Sequence, residues 1–160
     1  MLPHRPGFAA LARRSVVVGV AVATLASCGI LVETPPAPTP ADFQGIAGDL
    51  NGAGVTIDRV VSGDAGCDDP TLRQTAIAIE AHGLDQPEPT KLYVYIFRNR
   101  DSFERLRASI DACARTYVSD PAAYQSVEVS PFVVAGPGPW GAEFRSAVRA
   151  AITEAAGTGD

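Results

Sequence analysis

Lys91 to Arg98 (KLYVYIFR) constrains the fold of this chain more than any other stretch, because both of its faces are apolar. Leu92, Val94 and Ile96 project to one side of an extended strand, and Tyr93, Tyr95 and Phe97 to the other. A strand that is apolar on both faces belongs in the interior of a sheet with cover on both sides. If helices covered only one side, the aromatic stripe of Tyr93 and Tyr95 would instead be a platform for a ligand or partner.

The flanking pattern supplies the cover. Phe43, Ile46, Ala47 and Leu50 recur at helical spacing behind Asp42, and Asn51-Gly52 follows as a stop. Val55, Ile57 and Val61 alternate with polar residues as a strand with one buried face, and Ile77, Ile79 and Ala81 form a second strand ending at Gly83. Between them, Asp69-Pro70 is a cap followed by proline, which predicts one helical turn over Pro70 to Gln74. Asp101-Ser102-Phe103-Glu104 is an acidic variant of the capping box, and Phe103, Leu106, Ile110, Cys113 and Tyr117 follow on one stripe. Asp120-Pro121 repeats the cap-and-proline device. Val127 and Val129, then Phe132 to Ala135, read as one strand interrupted by Pro131, at an edge or a bulge. A last helix opens at Pro139 and runs to about Ala156, with Trp140, Phe144, Ala147, Val148, Ala151 and Ile152 inward. The expected fold is a single α/β (α+β) domain over residues 42–156. It has a mixed four-stranded sheet, two longer helices and a short N-terminal helix, in the order α-β-β-β-α-β-α.

The N-terminus is of another kind. Residues 1–14 carry Arg5, Arg13 and Arg14 and no acid, and Ser15 to Leu25 (SVVVGVAVATL) is an apolar run of eleven. That is the layout of an export signal, and the run is short of the ~20 residues a membrane span needs. Read on to Val32, it would be an uncleaved anchor at the lower length limit. Leu25-Ala26-Ser27-Cys28 resembles the lipobox of bacterial lipoproteins. The resemblance implies a signal peptide over 1–27 and a diacylglyceryl thioether on Cys28. It also implies a lipid-anchored protein at the extracytoplasmic face of the cell membrane. Two or three acyl chains suffice for stable anchoring where one does not. Arg13-Arg14 ahead of Ser15-Val16-Val17 also matches a twin-arginine signal, so the export route is open between the two. Residues 28–41 hold Pro35, Pro36, Pro38 and Pro40, a polyproline stalk, and 157–160 form a free tail.

The charge balance excludes one class of partner. The chain holds 13 bases and 18 acids, and a leader would remove three of the bases, leaving ten against 18. A net charge of −8 opposes binding to nucleic acid. With Cys28 lipidated, Cys67 and Cys113 remain, two thiols in an oxidising compartment, so a Cys67–Cys113 disulfide is expected.

Five further sets of residues invite a function. Gly136 to Gly141 (GPGPWG) spells a dinucleotide fingerprint, but its two prolines remove N–H donors that a pyrophosphate needs, so it reads as a turn and helix start. Glu80 and His82 share a strand face and would suit a base and its orienter. Asp64, Asp68 and Asp69 crowd one loop, yet the spacing fits no calcium loop, and no metal or other cofactor is expected. Arg98 and Arg100, with Arg105 and Arg107, surround a helix start, although the pairs Asp101/Arg105, Arg107/Asp111 and Asp111/Arg115 explain most of them as a solvated face. Tyr93 and Tyr95 complete the set. The expected function is a non-enzymatic binding module with an unidentified protein or small-molecule partner. It contacts that partner through Tyr93, Tyr95, Arg98 and Arg100. The alternative is a small extracytoplasmic hydrolase using Glu80 and His82.

Overall fold

The computed structural model describes residues 43–157. The expected signal peptide, Cys28, the expected stalk, Asp42 and residues 158–160 lie outside them. Helix α1 (Gln44–Gly52) leads into strand β1 (Thr56–Ser62), the one-turn helix α2 (Pro70–Arg73), and strands β2 (Ala76–Gly83) and β3 (Gln86–Ile96). Helix α3 (Arg100–Tyr117), a 3₁₀ turn at Pro121–Ala123, strands β4 (Tyr124–Val129) and β5 (Phe132–Pro137), and helix α4 (Ala142–Ala156) complete the domain.

The sheet has five strands in the order β1-β2-β3-β5-β4, with every neighbouring pair antiparallel. This corrects the four-stranded mixed sheet and its element order. The difference arises at Pro131. Ser130 and Pro131 are the two-residue turn of a hairpin in which Val129 pairs with Phe132, so the interrupted strand is two strands. A residue without an N–H cannot serve a ladder but is tolerated at a turn. Chain reversal at this point also removes the parallel pairing a mixed sheet requires.

β3 occupies the centre, as its two apolar faces require. Leu92 and Val94 join Ile77 and Ile79 of β2, Val127 of β4 and Val134 of β5 under Phe43, Ile46 and Leu50 of the α1 region and Phe144, Val148 and Ile152 of α4. On the other face Tyr93, Tyr95 and Phe97 join Val133 and Ala135 of β5 under Ile110 and Cys113 of α3 and Leu72 of α2. Tyr95 is 0% and Tyr93 4% exposed. The aromatic stripe is therefore a second core, and the reading of Tyr93 and Tyr95 as a contact surface is overturned by the helix that lies on them.

Three local departures position the site. β1 carries a bulge at Asp58, between the pairs Ile57/Ala81 and Arg59/Glu80. An extra residue reverses every later side chain, so Ile57 packs on the α1/α4 core and Val61 on the α3 core. β1 thus does not have the single buried face its spacing suggests. β3 starts at Gln86 rather than Lys91, after a tight turn at Leu84 and Asp85, and its residues 87–89 stand opposite the single residue His82. Pro87 and Pro89 are tolerated because this stretch lies beyond the part of β3 that pairs with β5. Finally, α3 is capped by Asn99, whose Oδ1 accepts from Ser102 N at 2.9 Å, one residue ahead of the helix and two ahead of the expected Asp101.

Candidate functional site

The Cys67–Cys113 disulfide is formed, with the two Cα atoms 5.5 Å apart. Cys113 faces inward from α3 as its place on the apolar stripe predicts, and the bridge fastens the loop between β1 and α2 to α3 on one face of the sheet. The same loop is held by Tyr95, whose hydroxyl donates to Ala65 O at 2.8 Å, whereas the Thr116 hydroxyl, 3.2 Å from Gly66 O, donates within its own helix to Cys113 O at 2.7 Å. Gly66 has φ +77°, and a Cβ there would stand 2.7 Å from the rings of Tyr93 and Tyr117, so the loop lies as close to the aromatic core as glycine permits.

Where this loop and α3 stop, the sheet face is open and charged. Cross-strand register places Arg59 of β1, Glu80 of β2 and Lys91 of β3 in one row. Arg59 Nη1 lies 3.8 Å from Glu80 Oε1, and Lys91 Nζ donates to Asp64 Oδ2 at 2.9 Å. These four side chains, with Val61, Ala78 and Ile79, line a cavity of about 110 Å³. Partial burial pushes the Asp64 carboxyl up, but the Lys91 ammonium and the Gly66 N–H outweigh it and hold the group below its ordinary value. The hydrogen bond to Asp64 correspondingly raises Lys91, whose ammonium also sits 5.0 Å from the centre of the Tyr93 ring.

Glu80 and His82 turn to different partners. Glu80 faces Arg59, whereas His82 Nδ1 is 2.8 Å from Asp58 Oδ2 at the β1 bulge. His82 is about one-third exposed and does not line the cavity. The carboxylates of the β1–α2 loop also diverge. Asp64 takes Lys91 and Gly66 N, Asp68 lies 3.5 Å from Arg73, and Asp69 accepts from Thr71 N and Leu72 N as the cap of α2.

Arg98 and Arg100 are exposed and form no ion pair with the described residues. The helix start beside them is closed by the Asn99 cap. Arg105 donates to Ser102, and Arg107 is held by Asp111 at 2.7 Å and by Glu128. At the GPGPWG loop, Trp140 N donates to Gln125 Oε1 and Gly141 N to Gln86 Oε1, while Glu143 N and Phe144 N donate to Asp85. Its backbone donors are satisfied from within the protein, and a carboxylate already occupies the start of α4.

Arg59, Lys91 and Asp58 escaped the sequence reading. Each of Arg59, Glu80 and Lys91 stands on a different strand, and their meeting depends on the register of β1, β2 and β3, which the Asp58 bulge shifts. No family model, curated protein or solved structure matches this chain.

Proposed function

We propose that the chain is a lipid-anchored extracytoplasmic lipoprotein whose domain is a non-enzymatic binding module. Its contact surface is the open, charged part of the sheet around Arg59, Glu80 and Lys91. The Cys67–Cys113 disulfide carries the reading. Such bonds persist in oxidising compartments, and the cysteine left over is Cys28, the residue that Leu25-Ala26-Ser27-Cys28 marks for lipid. Residues with both signs of charge around a small cavity suit recognition of a polar ligand. Arg98 and Arg100, exposed between the end of β3 and the start of α3, form a second contact.

The test is metabolic labelling with palmitate in a bacterial host, followed by membrane fractionation. The parent chain is expected to take up label and sediment with membranes, and Cys28→Ser to lose both. Equal label and equal sedimentation of the two would refute the anchor.

One observation supports a small hydrolase instead. A carboxylate that holds one imidazole nitrogen, as Asp58 holds His82, leaves the other free to act as a base. Ester hydrolysis that disappears in His82→Ala, with folding intact, would establish this alternative over the binding module.

A further inference from the structure

The cavity on the open sheet face has a composition that selects its ligand. A lone anion placed there meets Asp64 and Glu80, and a lone cation meets Arg59 and Lys91. A ligand gains from all four only if it carries both charges close together. The cavity measures about 110 Å³. Pockets for drug-sized molecules start at ~300 Å³, so this one takes a headgroup and not a whole large ligand.

The two ion pairs around it are unequal. Lys91 and Asp64 are hydrogen-bonded at 2.9 Å, and Asp64 also accepts from Gly66 N, so this pair is a satisfied wall. Arg59 and Glu80 stand 3.8 Å apart, beyond hydrogen-bond distance, and neither side chain has a hydrogen-bond partner among the described residues. A guanidinium with free donors beside a carboxylate with free acceptors matches a carboxylate and an ammonium borne on one carbon. We propose that this cavity binds the zwitterionic head of a free α-amino acid, its carboxylate on Arg59 and its ammonium on Glu80. The proposal rests on the reading of the domain as a binding module and names its ligand class.

The cavity shares Val61 and Asp64 with a wide open groove along the loop from Ser62 to Asp68. An amino acid's side chain leaves the head in that direction, toward solvent. Recognition is therefore by the head, with broad tolerance of the side chain.

The experiment is calorimetric titration of the full chain in detergent with glycine, alanine and leucine, beside N-acetylglycine and glycinamide, which lack the ammonium and the carboxylate respectively. Saturable binding of the three free amino acids is expected, weakened about tenfold or more in the two blocked compounds. Arg59→Gln and Glu80→Gln should each weaken glycine by a similar factor, with unfolding temperatures little changed because Arg59 is exposed, Glu80 is partly exposed, and the two are not hydrogen-bonded to each other. The proposal is overturned if no free amino acid gives saturable binding, or if N-acetylglycine or glycinamide binds as well as glycine. It is likewise overturned if Arg59→Gln and Glu80→Gln leave glycine affinity intact. Palmitate labelling of the same preparation separates the two ideas. A labelled, folded chain that binds no amino acid refutes the ligand and leaves the anchored module standing.

Discussion

The carboxylate of Asp85 caps α4 at Phe144, 59 residues further along the chain. Its Oδ1 accepts from Phe144 N at 2.8 Å, and its Oδ2 accepts from Glu143 N at 3.0 Å. The residue at the helix's own cap position is Gly141, which has no side chain to offer, so the tip of the β2–β3 hairpin does its work. The hairpin tip is thereby tied to the helix that covers one core. Asp85→Ala should lower the unfolding temperature by a few degrees and speed amide exchange at Glu143 and Phe144 above all other sites in α4. Unchanged exchange there would show that the cap contributes nothing.

Acid sensitivity follows from the same contact. The two N–H groups hold the Asp85 carboxyl below its ordinary value. A depressed carboxyl contributes stability that is complete above the unfolded pKa of ~3.9 and is lost as pH falls through the lower folded value. Asp64, depressed by Lys91 and Gly66, adds a loss of the same sign. Asp85→Asn should therefore flatten the acid limb of a plot of unfolding temperature against pH. A limb as steep as the parent's would assign the acid sensitivity to other groups.

What the sequence discloses and what it hides divide by distance along the chain. The 3.6-residue stripe from Phe103 to Tyr117 is local, so α3 and the inward aim of Cys113 could be read directly, and with them the disulfide. The two apolar faces of Lys91 to Arg98 placed β3 in the centre of the sheet for the same reason. The Ser130-Pro131 turn was missed because it lacks the Asn-Gly or Asp-Gly signature of a two-residue hairpin and resembles a break in one strand. The Asp85 cap was out of reach, since its partner lies on another element. So was the row of Arg59, Glu80 and Lys91. Each residue reads alone as an ordinary solvated charge, and only the register after the Asp58 bulge joins them.

Reduction should cost this domain much of its stability. The bridge closes a loop with a sequence separation of 46, worth about 4 kcal/mol as an upper figure on the chain-entropy account. Cys67→Ser with Cys113→Ser in one chain is expected to lose stability toward that figure in urea titrations. Because the Tyr95 hydroxyl also holds the loop, part of its native packing should survive. A midpoint equal to the parent's would mean that this hydrogen bond suffices without the bridge.

Gly136 marks a place where two strands leave no room. A Cβ at this position would stand 2.5 Å from Lys91 O, a backbone atom of β3 that cannot turn aside. Gly136→Ala must therefore push β5 away from β3 in the middle of the sheet, at a cost of about 1–3 kcal/mol. Gly45→Ala is the control, because nothing lies within 4 Å of its added carbon and α1 gains a better helix former. Equal urea midpoints for the two variants would contradict the packing described for β5.

Arg107 joins α3 to β4 and sets the charge around Tyr124. Its guanidinium bonds Asp111 at 2.7 Å and also Glu128, and Asp111 in turn accepts from the Tyr124 hydroxyl at 3.1 Å. Burial and the Asp111 carboxylate push the Tyr124 phenol up to about 12, and Arg107 opposes them. Removing that opposition in Arg107→Ala should move the phenol higher still, as read by ultraviolet titration of the parent and variant, each against its Tyr124→Phe counterpart. The sign for stability is fixed by the direction of the shift. A phenol raised in the folded state stabilises fully below the unfolded value of ~10 and loses that contribution as pH climbs toward 12. Tyr95 and Tyr117 are raised as well, chiefly by burial, and steepen the same alkaline limb. A double-mutant cycle on Arg107 and Glu128 should return a coupling of about 1 kcal/mol, since Glu128 is half exposed and water screens the pair. A titration in which Arg107→Ala leaves the Tyr124 phenol in place, or lowers it, would show that the guanidinium does not govern this corner of the domain.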